Sequence, residues 1–237
     1  MVSVPSFGLV YPVLPGKEST IRDIAAALKS RQSEYQQSRQ RGGVRFERAY
    51  LQRNPDGTSL VVAYLEADRS FREVMASLLS SDIPLDREFI EKNSEATGID
   101  FSAGPQGPDP ELVGQWAAAQ SGSRRKGFAF AAPLLPGKTD AARQFAHEAY
   151  VTRVNEMAES RGEKGLTREE VFLNQTPMGD LVVVYIEGDD PVEGNRQFAA
   201  SNSAFDRWFK DQCKQIFPPY VNFDQPVPAT EEFFSSV

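Results

Sequence analysis

Two tyrosine–glutamate pairs are the groups in this chain best suited to acid–base chemistry: Tyr64-Leu65-Glu66 and Tyr185-Ile186-Glu187. Each ends an apolar run, Leu60-Val61-Val62-Ala63 in the first case and Leu181-Val182-Val183-Val184 in the second. In an extended strand, residues two apart point the same way, so the Tyr and Glu of each pair share a face. A phenol or carboxylate taken out of water has a shifted pKa and can act as a general base or orient an enolate. Glu66, Glu187, Tyr64 and Tyr185 are therefore candidate catalytic residues. The preceding strands add candidate ligand-binding residues, Arg48, Tyr50 and Gln52 on one face, matched further along by Glu170, Phe172 and Asn174. The alternative puts both glutamates at strand ends in water and lets the tyrosines fill an interface, each hydroxyl reaching a partner.

Other chemistries have little to build on. His147 is the sole histidine and Cys213 the sole cysteine, so any Ser-His-Asp triad or histidine-ligated haem would have to use His147. With Ala142, Phe145 and Ala149 marking the inward stripe of its helix, His147 falls toward the opposite, solvent side. Cys213 lies one helical turn after Phe209 and reads as a packed thiol. No His/Cys/carboxylate spacing suggests a metal site, so neither a metal nor a cofactor is expected, haem included. Gly137-Lys138-Thr139 resembles the end of a phosphate-binding loop, but Ala132 stands where that loop needs another glycine. Lys17 and Lys138 precede helix starts and read as solvated side chains.

The elements that position these residues occur twice. Pro12-Val13-Leu14-Pro15-Gly16-Lys17 recurs as Pro133-Leu134-Leu135-Pro136-Gly137-Lys138, and the offset that joins them also superimposes the two Tyr–Glu runs. In the first copy, Phe7 to Leu14 reads as a strand apolar on both faces. A helix follows from a capping box at Thr20-Ile21-Arg22-Asp23, its far half, Arg31 to Arg41, so polar that it should project into water or across a partner. Val44 to Arg53 and Thr58 to Ala67 form a hairpin around Asn54-Pro55-Asp56-Gly57. A second helical region carries Phe71, Val74, Met75, Leu78 and Leu79, breaks at Pro84 and resumes through Leu85 and Phe89 to Gly98. Ile99-Asp100-Phe101 is left as the fourth strand.

Ser102 to Lys126 reads as a connector in which Asp109-Pro110 starts a short helix, Glu111 to Ala119. The second copy repeats the scheme from Gly127: a strand, a helix capped by Thr139 or Asp140, a hairpin around Thr176-Pro177-Met178-Gly179, a helical region through Phe205, Trp208 and Phe209, and a last strand at Tyr220 to Phe223. The fold class is thus α+β: two tandem ferredoxin-like β-α-β-β-α-β repeats, residues 1–101 and 127–223, with a linker, 102–126, and a tail, 224–237.

With 237 residues and a net charge of −7, the chain has room for two cores but no basic surface for nucleic acid. No apolar run spans a membrane and no leader precedes the first strand, so a cytoplasmic protein is expected.

A strand running into Leu-Pro-Gly-Lys, a Pro/Gly hairpin before Leu-Val-Val-x-Tyr-x-Glu, and a second helix with Asp-Arg-x-Phe (Asp86-Arg87-Glu88-Phe89, Asp206-Arg207-Trp208-Phe209) together resemble the dimeric α+β barrel superfamily. The resemblance covers nearly the whole chain and is specific for fold, loose for function, since the superfamily includes cofactor-free monooxygenases, isomerases and haem proteins. It implies that the two sheets close face to face within one chain, with helices outside and any ligand between the sheets. Dimerisation is then optional, leaving a monomer or a homodimer. Two functions stay open: binding or metal-free conversion of a small, largely apolar organic molecule, or a non-catalytic interaction or scaffold role with the interior filled by side chains.

Overall fold

The structure is a computed structural model that describes residues 4–119, 124–227 and 230–237. In chain order the elements begin β1 (Ser6–Val13), α1 (Glu18–Ser30), α2 (Gln32–Gly42), β2 (Val44–Arg53), β3 (Ser59–Ala67), α3 (Phe71–Leu79), α4 (Pro84–Thr97) and β4 (Glu111–Ala117). The same order follows with β5 (Lys126–Pro133), α5 (Thr139–His147), α6 (Val154–Glu163), β6 (Leu166–Thr176), β7 (Gly179–Gly188), α7 (Pro191–Ala200), α8 (Ala204–Ile216) and β8 (Thr230–Ser235). They make an α+β protein with two four-stranded sheets, ordered β1-β3-β2-β8 and β4-β6-β7-β5.

Two compact units result, Met1–Pro110 with Glu231–Val237, and Glu111–Thr230. The last strand of each half is where the sequence reading needs correcting. Ile99-Asp100-Phe101 is no strand: Asp100 caps a single 3-10 turn, Phe101–Ala103. The expected linker helix at Glu111 to Ala119 is instead β4, the edge strand of the second unit's sheet, paired with β6. The Asp-Pro start signal is overridden by tertiary pairing, a contest that local propensity often loses. Tyr220 to Phe223 forms turns, and the strand expected there lies in the tail, as the edge of the first unit's sheet. The segments taken for linker and tail therefore each supply a sheet edge.

In the first unit β3 pairs antiparallel with β1 and β2, and helix-facing residues alternate as the pleat requires. Leu9 opposite Ala63 and Tyr11 opposite Val61 look toward the helices, as do Ala49 and Leu51. The hairpin turn closes as its sequence predicts, with Gly57 at φ 85° and Asp56 accepting the Thr58 amide. Helix α1 starts at Glu18 without a side-chain cap; the capping box of this unit is Ser70 with Glu73 on α3. Helix α2 is also not the water-projecting extension its polarity suggested. Tyr35, Ser38 and Gly42 are buried and Arg39 is largely so, because the polar groups of its inner side find charged partners inside the unit.

In the second unit α5 and α6 are joined by one π-helical turn, Glu148–Thr152. The cause is legible in the chain: Lys138 to Arg153 spans one residue more than Lys17 to Arg31. The extra residue is absorbed as a π-turn, a feature often found at functional or strained places. It turns Tyr150 inward, where the ring lies against β4 so closely that a Cβ on Gly114 would stand 2.5 Å from it.

Candidate functional site

Each unit holds a buried polar cluster between its helices and its sheet, built from residues at matching offsets. In the first, Arg39 on α2 donates through Nε to Glu47 Oε1 on β2 at 2.9 Å and through Nη1 to Ser38 Oγ at 3.0 Å. Asp86, in the first turn of α4, lies 3.9 Å from Arg39 Nη1. The guanidinium stacks on Tyr35 and Phe89, 5.0 and 5.5 Å from the ring centres. In the second unit the counterparts are Arg161, Glu169, Ser160, Asp206 and Phe209. Here Arg161 grips both Glu169 oxygens, at 2.6 and 3.0 Å, and lies 3.9 Å from Asp206. Tyr150 also donates to Glu169, and Lys164 pairs with Asp206 at 2.9 Å.

A bulge lies just before each of these glutamates. On β2 the register against β3 slips between Val44 and Phe46, and on β6 it slips between Leu166 and Arg168. From Phe46 onward the register is regular, so Glu47 faces the helices by ordinary alternation opposite Arg48, and the bulge brings Val44 to the same face; bulges commonly re-aim a side chain in this way. Alternation itself places Glu47 and Glu169 on the face opposite Arg48 and Glu170, the face that the sequence reading did not weigh. The available signal was the repeated Ser-Arg followed eight residues later by Glu, at 38–47 and 160–169.

Beside the first cluster lies an apolar cavity of about 140 Å³, enclosed by Leu9, Ile24, Leu28, Val61, Ala63 and Phe71 among others. Its polar edge is formed by Ser38, Arg39, Glu47, Asn93 and Tyr11. The Tyr11 ring packs on Phe101 at 5.0 Å, and no partner for its hydroxyl is found among the described residues. Burial pushes that phenol up to about 12, so it stays protonated as a donor. Arg39 and Val44 also border an open depression of about 380 Å³ on the surface. The matching space in the second unit is about 70 Å³. There Phe130 stands for Leu9, Val184 for Ala63, and Ala132 for Tyr11.

The residues singled out from sequence alternate onto the opposite sheet faces, with Arg48 and Tyr64 also among the residues that border the first unit's cavity. In the first unit Arg48 stands opposite Tyr64, Tyr50 opposite Val62 and Gln52 opposite Leu60. In the second, Glu170 stands opposite Tyr185, Phe172 opposite Val183 and Asn174 opposite Leu181. The two Tyr–Glu pairs do share a face: Tyr64 donates to Glu66 at 2.8 Å and Tyr185 to Glu187 at 2.6 Å. Both glutamates are buried rather than solvated at strand ends, and Arg124 also reaches Glu187 at 2.9 Å. Tyr50 donates to Glu232 and Gln52 to Asn54. Glu170 lies 3.6 Å from Arg168. His147 is exposed; Cys213 is buried, and burial pushes its thiol far above the usual range. Among the described residues no three His, Cys, Asp or Glu side chains gather as metal ligands, and no helix is long and apolar enough to cross a membrane.

No family model matches the chain, and no curated protein sequence matches it. Solved structures do. A "Putative monooxygenase" from Fusobacterium nucleatum subsp. nucleatum aligns over 98% of this chain and 92% of its own, with a TM-score of 0.51 at 11% identity. An anthrone oxidase-like protein aligns over 98% and 94%, with a TM-score of 0.53 at 8% identity. A "putative monooxygenase" from Lactobacillus acidophilus aligns over 99% and 95%, with a TM-score of 0.52 at 9% identity. At such identities the likeness is one of fold. It agrees with the superfamily that the repeated motifs resemble.

Proposed function

We propose that the chain binds and converts a small, largely apolar organic molecule about the size of one aromatic ring, in the helix–sheet cavity of the first unit. The observation that carries this reading is the cavity itself: about 140 Å³, apolar walls, and the half-buried phenol of Tyr11 at its polar edge. A cavity of roughly 150 Å³ lined by aliphatic and aromatic residues takes up benzene, so the volume suits a single ring and is too small for fused ones. A ligand oxygen placed at the Tyr11 hydroxyl would receive a hydrogen bond from a donor that does not ionise at neutral pH. Such a bond strengthens if negative charge develops on that oxygen during reaction, which is how a preorganised donor favours a transition state. Oxidative conversion is the class favoured by the structural neighbours' names, and in this reading the acid–base groups are the chain's own.

The Tyr64–Glu66 and Tyr185–Glu187 pairs take a structural part in this proposal, because each hydroxyl is committed to a carboxylate of its own strand. The filled-interior alternative keeps one specific support, the aromatic packing of the second unit, and we apply it to that half alone.

Calorimetric titration with phenol and toluene tests the reading. Phenol should bind the wild type more tightly than toluene, and Tyr11→Phe should remove the difference while leaving toluene binding in place. Glu66→Gln should leave both unchanged. Absence of binding by any single-ring compound would overturn the proposal.

A further inference from the structure

We infer that the molecule taken up by the first unit carries a protonated amine, bound by the Asp86 carboxylate at the Ser38–Gly42 edge of the cavity; the inference rests on the function proposed above. Its basis is a comparison of the two units within the chain.

In the second unit Asp206 is fully buried and its charge is met by an ammonium. Lys164 Nζ lies 2.9 Å from Asp206 Oδ2, and it also donates to the Ser160 carbonyl at 2.9 Å and to Ser160 Oγ at 3.2 Å. The surroundings of Asp86 follow the same plan. Its arginine stands at the same 3.9 Å, that arginine donates to the neighbouring serine at 3.0 Å against 3.2 Å, and a phenylalanine lies beside the guanidinium in both. Two components differ: the residue that corresponds to Lys164 is Gly42, and Ser160 Oγ donates to Asp206 Oδ1 at 2.6 Å whereas Ser38 makes no such bond to Asp86 among the described residues.

Asp86 is only 2% exposed, and its Oδ2, like that of Asp206, makes no hydrogen bond among the described residues; the difference is that Asp206 Oδ2 has the Lys164 ammonium at 2.9 Å. A buried carboxylate oxygen left without a donor is costly, and proteins seldom keep one without a reason. Arg39 does not answer it, since its bonds go to Glu47 and Ser38. Gly42, Ser38 and Arg39 border the cavity and Asp86 is not among its lining residues, so an ammonium arm has to pass Gly42 to reach the carboxylate, as the Lys164 side chain does from the matching backbone position in the other unit. The chemistry that fits is a nitrogen cation with several donors, able to meet one carboxylate oxygen, one carbonyl and one hydroxyl. An ammonium on a short arm attached to an apolar body satisfies this and fills the cavity as well. A free ammonium ion offers the same chemistry without the body.

The test compares benzylamine and 2-phenylethylamine with benzyl alcohol and toluene, and ammonium chloride with sodium chloride at equal ionic strength, by calorimetry and thermal shift. The amines should bind the wild type about tenfold or more tightly than the neutral rings, the scale of a charge-assisted hydrogen bond. Asp86→Asn should abolish that preference while neutral rings still bind. Gly42→Lys should raise the melting temperature of the ligand-free protein and also abolish the preference, by supplying the ammonium from the chain; a Cβ at Gly42 meets only ordinary contacts, the nearest at 3.6 Å. If Asp86→Asn fails to fold, Gly42→Lys still decides the matter. Asp86-dependent stabilisation by ammonium chloride alone would support the cation site with the free ion as its source. Equal affinity for amines and neutral rings, or a Gly42→Lys protein that keeps the preference, would overturn the inference while leaving the proposed function standing. Failure of every ring compound would overturn both.

Discussion

Replacing part of the first unit's cavity wall with the residues found at the same places in the second should trade binding for stability. The variant is Leu9→Phe with Ala63→Val, copying Phe130 and Val184; Leu9 and Ala63 are cross-strand partners facing the helices. Cavity volume costs roughly 24 cal/mol per Å³, so spaces of about 140 and 70 Å³ correspond to about 3.4 and about 1.7 kcal/mol. The difference, about 1.7 kcal/mol, is the most the exchange can return. For a protein of this length about 1 kcal/mol moves the melting temperature by roughly 2–4 °C, so the variant should melt about 3–7 °C higher. Calorimetric melting reads the first quantity and titration with phenol the second, where affinity should fall at least about tenfold as the ring loses its space. A lower melting temperature with phenol binding intact would refute the reasoning. It would mean that the larger side chains meet a packed wall, with the strain that overpacking brings.

The two arginines should differ in what their removal costs. Arg161→Leu leaves Glu169 buried with its bidentate partner gone and should destabilise by about 3–5 kcal/mol, whereas Arg39, more exposed and bonded to Glu47 through one nitrogen, should cost clearly less in urea unfolding. Gly114→Ala should lower the melting temperature by displacing the Tyr150 ring, and adding Tyr150→Ala should recover part of the loss, a coupling that a double-mutant cycle measures. Burial alone would raise the Asp206 carboxyl, but hydrogen bonds from Ser160, Ser201 and Lys164 outweigh it and hold the group at about 2. Being lower folded than unfolded, it contributes stability above about pH 4 that is lost as pH falls toward 2, so Asp206→Asn should flatten that part of a stability-against-pH curve. Cys213 should react with a thiol reagent only as fast as the protein opens, since burial keeps it a neutral thiol.

The repeat, the hairpins and most helices were legible because their signals are local: the Pro-Gly turn after each first strand, and Asn54-Pro55-Asp56-Gly57 between β2 and β3. The edge strands were not. Whether Glu111–Ala117 extends as a strand depends on finding β6 beside it, a partner more than fifty residues away that no window contains. The cavity site was missed for a related reason. Its charged residues come from the end of α2, from β2 just after its bulge and from the first turn of α4, three segments that no local pattern joins. Tyr11 lay inside an apolar strand and looked like packing. A one-residue insertion before Arg153 was visible only as a change of offset, yet it produces the π-turn that brings Tyr150 to Glu169.

The repeat offers a control within one chain for deciding which buried groups are architecture. Arg39 with Glu47 and Arg161 with Glu169 appear in both units, at the same seam between the last turn of a helix and the bulge of a strand. An apolar pair of similar volume would often be as stable, so retention in both points to a shared structural duty, such as fixing how the helix is set against the sheet. Chemistry peculiar to one half must then lie in what the halves do not share. Among those differences are Tyr11 against Ala132, Gly42 against Lys164, and a cavity twice as large where the second unit has Phe130 and Phe145 for Leu9 and Ile24. All three fall around one space. The second unit fills that space with aromatic side chains and meets its buried aspartate with a lysine, while the first leaves the volume of one ring beside Tyr11 and has Gly42 at the lysine's place.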